Sequence, residues 1–343
     1  MGKGSLPSKI HPDRPGRGVP FRGLSYFRKG GLTDRSVLAE ARRDIRKKEA
    51  CMHLIVALIK SLRPRQWPKN VFFFAALVFD RQFFQPEPLL RTVTGFVLLC
   101  LASGTVYLVN DIADREQDRL HPVKRRRPIA SGALPVPAAA AAAIVLTVVT
   151  ISSAWLLEPS FVLLIAVYLG LNLAYSFSLK HIPLVDVLTV ASFFLMRVAG
   201  GVLLISVERF SPWMYVCMVL LALYISFGKR RSELMLLEDG AVHHRRVLSG
   251  YSIPLLDSYI HIVSAATIVA YSFYTFSAPT LPDNHVMMLT IPFVLYSIFR
   301  YLYLLEIEQK GGSPEELVLT DRPLQIAIFV WGLSAMLILY IWK

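Results

Sequence analysis

The chain has 343 residues, of which 54% are hydrophobic, and its formal net charge is +13 at pH 7. Several apolar runs approach the roughly 20 residues that a helix needs to cross about 30 Å of hydrocarbon, which excludes an ordinary soluble domain. The cysteines Cys51, Cys100 and Cys217 are scattered, so neither a disulfide framework nor a metal-binding cysteine motif is expected. The composition predicts an all-α, polytopic membrane protein.

The N-terminal region differs from the rest because it is basic and poor in long apolar runs. Residues 1–34 repeat Gly, Pro, Lys and Arg and are predicted to form a disordered tail. From Asp34 onward, apolar residues recur at helical spacing among many basic ones, which predicts an amphipathic helix on an anionic membrane surface. A charged helix that is merely solvated is the alternative. We therefore expect residues 1–60 to form a tail with a surface helix, and residues 61–343 to form the transmembrane domain.

The transmembrane domain contains about nine apolar segments, several of them near the lower length limit for a membrane crossing. Basic residues cluster in the loops after the second, fourth, sixth and eighth segments, and the opposite loops hold few. By the positive-inside rule the N-terminus and the charged loops face the cytoplasm, so we expect a multi-pass protein of the cell (inner or plasma) membrane. The predicted spans are 71–90, 93–109, 138–157, 160–178, 183–205, 211–227, 257–277, 285–304 and 323–342.

Dense charge follows the second predicted span, in the stretch NDIADREQD at residues 110–118. On a helix that continues from this span, Asp111, Asp114 and Asp118 are three and four residues apart and share one face. Neighbouring carboxylates repel one another unless a cation binds them, and such oxygen ligands suit Mg²⁺. The stretch is therefore a predicted metal site, with Asn110 beside it as a candidate substrate ligand. The alternative is a solvated acidic helix end that nearby arginines balance.

A basic loop, HPVKRRRPIASG, follows at residues 121–132. Lysine and arginine side chains bind phosphate oxygens, and arginine does so through paired hydrogen bonds. Positive charge that only sets the membrane topology would explain the composition, although not its position directly after clustered aspartates. We predict that this loop binds phosphate and that Lys124, Arg125 and Arg127 are the contacting residues.

Further candidate ligands lie in other predicted loops or within a span. Arg197 is surrounded by apolar residues in the fifth span, where an arginine usually faces a cavity or an acidic partner. It either holds a lipid phosphate or pairs with Asp186, and the sequence leaves both possibilities open. The other candidate substrate-binding residues are Lys69, Tyr175, Lys180, Lys229 and Arg230.

The stretch NDIADREQD resembles the NDxxDxxxD motif of the UbiA superfamily of intramembrane prenyltransferases, and its position after the second span is typical of that helical bundle. Four segments together are similar to the decaprenyl-phosphate phosphoribosyltransferase branch. They are RPRQWPKN at 63–70, the stretch 106–132, YSFSLKH at 175–181 and GKRRSEL at 228–234. The resemblance runs from about residue 62 to residue 340 and leaves the N-terminal tail outside it.

The resemblance implies a UbiA-like bundle of about nine helices with a cytoplasmic-side active site, in which residues 61–343 are the catalytic domain. It implies Mg²⁺-dependent transfer of 5-phosphoribose from 5-phosphoribosyl 1-diphosphate to a polyprenyl phosphate, with release of diphosphate. Such a reaction supplies lipid-linked pentose precursors for the cell envelope. Asp111, Asp114 and Asp118 would then hold the metal at the catalytic centre. The two substrates and the membrane are the expected partners, no nucleic acid is expected, and a homo-oligomer is left open.

One departure from the superfamily pattern affects the choice of substrate. Members that act on prenyl diphosphates carry a second aspartate-rich motif, whereas the corresponding loop here, GKRRSELMLLEDGAVHHRR, has no paired DxxxD. This favours two anionic substrates that share one metal site over an aromatic prenyltransferase with a polyprenyl diphosphate donor. An anion transporter is the non-enzyme alternative, although transporters tend to place charge near the bilayer midplane and to show internal repeats.

Overall fold

The computed structural model describes residues 35–207, 211–238, 246–309 and 314–341. The regular structure in these ranges is helical, which confirms the predicted all-α class. The predicted N-terminal tail, residues 1–34, lies outside them. The chain forms two compact units, Met1–Met52 and His53–Lys343.

The described residues form α-helices joined by short 3-10 helices. The α-helices are α1 (Arg35–Ser61), α2 (Ala75–Phe79), α3 (Pro86–Ala113), α4 (Arg115–Leu120), α5 (Val136–Leu157), α6 (Pro159–Phe177), α7 (Val185–Leu204), α8 (Pro212–Glu238), α9 (Ile253–Ser277), α10 (Ile291–Glu306), α11 (Pro314–Thr320) and α12 (Arg322–Ile341). The 3-10 helices are Pro64–Phe74, Lys124–Arg126, Leu179–His181, Arg246–Gly250 and Val286–Thr290.

Eight helical segments in the described part of the chain are long and apolar enough to cross a membrane. They are α3, α5, α6, α7, α8, α9, α12 and the continuous segment Val286–Glu306 that includes α10. These segments correspond to the predicted spans from 93–109 onward, so the chain is a multi-pass membrane protein, as predicted.

The segment predicted as the first span, residues 71–90, has a different form from the others. It consists of the end of the 3-10 helix Pro64–Phe74, the short helix α2 and a turn that leads into α3. Pro68 lies inside the 3-10 helix, and proline cannot donate the backbone hydrogen bond that a regular α-helix would need there. Pro86 begins α3 earlier than predicted because proline is well tolerated in the first turn of a helix.

The 3-10 helix Pro64–Phe74 packs deeply into the bundle against α3 and α7. Phe73 is fully buried, and a Cβ atom built on Gly201 would lie 2.1 Å from the Phe73 carbonyl oxygen. Only glycine permits this approach, and small residues at helix contacts commonly bring two backbones close together in membrane proteins. The close contact places Asn70 beside α7 and Arg63 beside the C-terminal end of α3.

A cluster of buried apolar residues lies among the helices α7, α8, α9, α10 and α12. On α8, Arg231 donates from Nε to Asp257 Oδ1 at 2.5 Å and from Nη1 to the Leu305 carbonyl oxygen at 3.3 Å. These contacts attach α8 to α9 and α10 and so hold the segment that carries Lys229 and Arg230. Buried members of the cluster include Val187, Tyr224, Phe227, Leu256, Ile260 and Leu304.

Candidate active site

The carboxylate of Asp111 lies near the C-terminal end of α3, at the centre of a charged cluster. Only 2% of this residue is exposed. Its Oδ1 atom accepts hydrogen bonds from Arg63 Nη2 at 2.5 Å and from Arg127 Nη1 at 3.0 Å. Arg127 Nη1 also donates to Asp118 Oδ2 at 2.6 Å, so one guanidinium group joins two of the predicted aspartates. A buried carboxylate needs such partners because an unpaired buried charge is costly.

The aspartates do not lie on one uninterrupted helix, in contrast to the prediction. α3 ends at Ala113, Asp114 adopts φ −88° and ψ 5°, and α4 begins at Arg115. Backbone hydrogen bonds continue across this interruption, from Asp114 N to Asn110 O and from Asp118 N to Asp114 O, each 2.8 Å long. The chain direction is therefore largely kept, and Asp111 and Asp118 reach the same arginine from one side.

Asp114 differs from the other two aspartates in its surroundings. It is half-buried, and its side chain has no hydrogen bond or ion pair with any residue that the structure describes. Asn110 is half-buried beside it. Within the described ranges, no group of three or more His, Cys, Asp or Glu side chains is arranged to hold one metal ion. The donor set nonetheless suits Mg²⁺, which takes one or two carboxylates and completes its shell with water and substrate phosphates.

The basic loop is anchored at its end and exposed at its centre. Ile129 is fully buried against α3 and α5, and the Leu134 amide donates to the Pro128 carbonyl oxygen at 2.9 Å. Lys124 and Arg125 are exposed, whereas Arg127 turns inward to the aspartates. The loop therefore separates into a solvent-facing basic part and one arginine that belongs to the charged cluster.

A second charged group surrounds Asp186, which is fully buried at the start of α7. Asp186 Oδ2 accepts from Arg230 Nε at 2.7 Å, and Oδ1 accepts from the Tyr251 hydroxyl at 2.8 Å. Arg230 Nη1 also donates to Glu233 at 2.5 Å. Burial raises the pKa of the Tyr251 phenol above its usual value. The phenol therefore keeps its proton and donates it in the hydrogen bond to Asp186. The Leu184 amide in turn donates to the Tyr251 oxygen at 2.7 Å.

Arg230 is consequently engaged by two carboxylates and is only 4% exposed. Sequence reasoning selected it as a substrate ligand, but its contacts are those of a residue that joins α7 to α8. Tyr251 was not selected from the sequence. A tyrosine in a loop carries no signal of its own, and its partner Asp186 is 65 residues away along the chain.

Arg197 lies in the middle of α7 and is only 8% exposed. Its Nε donates to Asn70 Oδ1 at 2.8 Å, and its guanidinium carbon lies 5.0 Å from the centre of the Phe194 ring. The Nη1 atom is buried and has no hydrogen-bond partner in the described part of the chain. The predicted alternative, an ion pair with Asp186, is not formed because Asp186 is bound by Arg230 and Tyr251. Arg197 therefore retains an unused donor inside the bundle.

Arg63 is a functional candidate that sequence reasoning missed. Beyond its contact with Asp111, its guanidinium carbon lies 4.6 Å from the centre of the Tyr107 ring, at a distance typical of a cation–π interaction. The backbone of Arg63 is left-handed, with φ 51° and ψ 62°. The available signal was its position at the start of the segment RPRQWPKN, in which only Lys69 was selected.

The remaining predicted ligands are partly buried side chains. Tyr175 is close enough to Arg230 for an electrostatic interaction, and its ring packs against Phe193 at a centroid distance of 6.0 Å. The half-buried members of this set are Lys69, Tyr175, Lys180 and Lys229. The structure thus brings Asp111, Asp118 and Arg127 together directly.

Comparison with known proteins identifies similar sequences over most of the chain. The sequence profile of the UbiA prenyltransferase family matches residues 71–318. A decaprenyl-phosphate phosphoribosyltransferase from Mycobacterium tuberculosis is 36% identical over 287 residues, which cover 81% of this chain and 93% of that protein. A protein of the same name from Corynebacterium glutamicum is 32% identical over 307 residues, which cover 87% of this chain and 91% of that protein.

Solved structures share the fold at lower sequence identity. A UbiA homologue from Archaeoglobus fulgidus bound to DMAPP and Mg²⁺ superimposes with a TM-score of 0.63 at 18% identity, covering 82% of this chain and 98% of that chain. The digeranylgeranylglyceryl phosphate synthase structure has a TM-score of 0.56 at 12% identity, with 83% of this chain and 98% of that chain covered. These two similarities establish the helical-bundle fold.

Proposed function

The chain belongs to the UbiA prenyltransferase family, and from this we propose that it transfers 5-phosphoribose from 5-phosphoribosyl 1-diphosphate to a polyprenyl phosphate. The observation that carries the proposal is the 36% identity over 81% of the chain to a decaprenyl-phosphate phosphoribosyltransferase. The charged cluster around Asp111 supports it, because carboxylates and arginines side by side suit a substrate that combines a diphosphate with a metal ion.

The proposed reaction needs little proton transfer. A phosphate oxygen of the lipid forms a bond to the anomeric carbon of the ribose, and the bond from that carbon to the diphosphate oxygen breaks. The diphosphate leaves with the electron pair. Since the acceptor phosphate is already an anion, no general base is required to generate the nucleophile. The main demand on the protein is to stabilise the charge that grows on the leaving group.

We assign the metal to the aspartate motif. Asp111, Asp114 and Asp118 would hold Mg²⁺, and the bound ion would neutralise charge on the departing diphosphate. Asp114 is the first ligand in this proposal because its carboxylate has no partner in the described part of the chain. Asn110 lies one position before the buried Asp111 and would contact the donor substrate, 5-phosphoribosyl 1-diphosphate, beside the metal.

Basic residues would bind the phosphate groups of the donor. Lys124 and Arg125 are exposed on the anchored loop and are available to a soluble substrate. Arg127 would contact the diphosphate from beside the aspartates, because its guanidinium already lies 2.6 Å from Asp118. The half-buried residues Lys69, Tyr175, Lys180 and Lys229 are additional proposed ligands. Arg230 would act indirectly, by holding α7 and α8 together through Asp186.

Arg197 would bind the phosphate of the lipid acceptor. It is a buried arginine without a carboxylate partner in the described residues, and arginine keeps its positive charge at physiological pH. An unpaired charge inside a membrane protein is costly and usually marks a ligand pathway. The acceptor is an anionic head group on an apolar tail, so it would supply the missing negative charge while its tail lies among the apolar helices.

The helix α1 would assist at the membrane surface. Its residues 42–56 are exposed and combine basic side chains with apolar ones such as Ile45 and Met52. This combination is typical of helices that lie on anionic lipid. We propose that the enzyme works at the cytoplasmic face of the plasma membrane and supplies lipid-linked pentose for the cell envelope.

The test is a donor and acceptor assay with the purified protein in detergent or liposomes. Labelled 5-phosphoribosyl 1-diphosphate and polyprenyl phosphate should yield a lipid-linked phosphoribose and diphosphate, and turnover should stop when a chelator removes Mg²⁺. Prenylation of an aromatic acid from a polyprenyl diphosphate, with no phosphoribose transfer, would reject the proposal. Anion flux across liposomes without product formation would also reject it.

A further inference from the structure

We infer that Arg63 and Arg127 act as exchangeable counter-ions: they hold the Asp111 carboxylate until a divalent cation binds there, and then turn to the donor diphosphate. The inference rests on the proposed function, since it assumes a metal at the aspartate motif. It concerns these two arginines, whose role the family motif does not specify, and it predicts how metal and diphosphate affinities respond when one of them is removed.

The contacts of Asp111 are the first support. Both arginines donate to the same atom, Oδ1, at 2.5 Å and 3.0 Å. Arg127 also donates to Asp118 Oδ2 at 2.6 Å, so the two guanidinium groups together balance the charge of two carboxylates. A metal ion at Asp111 would add further positive charge at this site, and like charges this close repel strongly at low dielectric. Metal binding therefore favours the departure of at least one arginine.

The charge balance of the cluster gives the same result. Three aspartates and two arginines give a net charge of −1; they are Asp111, Asp114, Asp118, Arg63 and Arg127. A divalent cation therefore makes this group positive while both arginines remain. A diphosphate restores the balance. Guanidinium groups bind phosphate oxygens through paired hydrogen bonds, so the arginines displaced by the metal have a suitable new partner on the donor.

The surroundings of Arg63 allow its guanidinium group to move from Asp111 to the donor diphosphate. Its side chain is 29% exposed, so its guanidinium can leave the carboxylate without becoming a buried, unpaired charge. The Tyr107 ring lies 4.6 Å from it and can retain the cation through its π face. The left-handed backbone, with φ 51°, is a conformation that a non-glycine residue adopts at some cost. The contacts of the side chain with Asp111 and Tyr107 offset that cost.

The experiment measures Mn²⁺ binding by electron paramagnetic resonance on the full chain in detergent, with no substrate present. Arg63→Gln should bind Mn²⁺ about fivefold more tightly than wild type, because a competing counter-ion is lost whose side chain is partly exposed to solvent. With Mn²⁺ bound, the same variant should bind inorganic diphosphate about tenfold more weakly. Arg63→Lys, which keeps the charge, should lie between wild type and Arg63→Gln in both measurements.

Arg65→Gln is the matched control, since it removes the same charge two positions after Arg63. Arg65 is exposed and has no ion pair in the described part of the chain. Its Mn²⁺ affinity should change less than twofold. Equal or weaker Mn²⁺ binding by Arg63→Gln than by Arg65→Gln would overturn the inference, as would a wild-type protein that binds no Mn²⁺.

The outcome is separable from that of the proposed function. If the wild-type protein makes lipid-linked phosphoribose but Arg63→Gln leaves Mn²⁺ affinity unchanged, only the counter-ion exchange fails. If both affinities shift as expected and no phosphoribose is transferred, the exchange stands and the assignment of the donor fails.

Discussion

Asn70 and Arg197 form a hydrogen bond of 2.8 Å between the 3-10 helix Pro64–Phe74 and the middle of α7. The amide of Asn70 also donates to the Cys100 sulfur at 3.2 Å, so a polar chain connects three separate segments inside an apolar bundle. Asn70 is a neutral partner, and it orients the Arg197 guanidinium without cancelling its charge. The Nη1 atom, which has no hydrogen-bond partner in the described part of the chain, is thereby held in place.

Replacement of Arg197 tests that role. Arg197→Met should leave the fold intact, because it removes a charge that no carboxylate in the described residues balances, and the cost is limited to the lost hydrogen bond to Asn70 Oδ1. The KM for polyprenyl phosphate should rise about tenfold or more, since hydrogen bonds to charged groups are worth about 1.5–3 kcal/mol. Arg197→Lys should recover part of the loss. Steady-state kinetics with each substrate varied in turn give the measurement, and an unchanged acceptor KM in Arg197→Met would refute the assignment.

Disruption of the buried ion pair between Asp186 and Arg230 should lower the stability of the protein rather than its chemical activity. Asp186→Asn should lower the free energy of unfolding by about 3 kcal/mol, because Arg230 loses its fully buried partner. Glu233→Gln is the control, as its side chain is 27% exposed and its loss should cost less than about 1 kcal/mol. Equilibrium unfolding in mixed micelles compares the two variants. Similar values for both would mean that burial of Asp186 adds nothing to the strength of this ion pair.

Asp114 is the aspartate whose replacement should affect chemistry most cleanly. Asp114→Asn should reduce turnover at least about a hundredfold, because the proposed carboxylate ligand of the metal would be lost, while the unfolding transition stays near that of wild type. Glu116→Gln removes a nearby carboxylate whose ion pairs within the described ranges are with Arg115 and Arg119 at the surface, and it should keep near-normal rates. If Asp114→Asn turned over at a rate near that of wild type, Asp114 would not be a ligand of the metal.

The exposed part of the basic loop should determine donor affinity. Lys124→Gln and Arg125→Gln should each raise the KM for 5-phosphoribosyl 1-diphosphate about fivefold at low salt, with a smaller effect as salt screens exposed charges. Arg126→Gln removes an equal, exposed charge between Arg125 and Arg127 and serves as the comparison. Equal effects from all three variants would show that the loop acts through its overall charge alone.

Helix count and the aspartate motif could be predicted from sequence because both depend on local patterns. Apolar runs of membrane length predict spanning helices whatever their neighbours are. The prediction was least accurate at residues 71–90, where Pro68 and a turn before Pro86 replace a regular span with a 3-10 helix and α2. The interruption at Asp114 was also missed, because a single residue with ψ near 0° leaves no trace in hydrophobic periodicity.

The partners of the charged residues depended on the tertiary structure. Arg63 contacts Asp111 across 48 residues, Arg230 contacts Asp186 across 44, and Asn70 contacts Arg197 across 127. The sequence by itself determined that this protein is a helical membrane protein with an aspartate motif beside a basic loop. Only the tertiary structure decided which arginines bind carboxylates and that Arg197 keeps a buried donor without a partner in the described residues. The reason is physical: helix rotation and the close approach of Phe73 to Gly201 set these distances, and neither is encoded in a local pattern of residues.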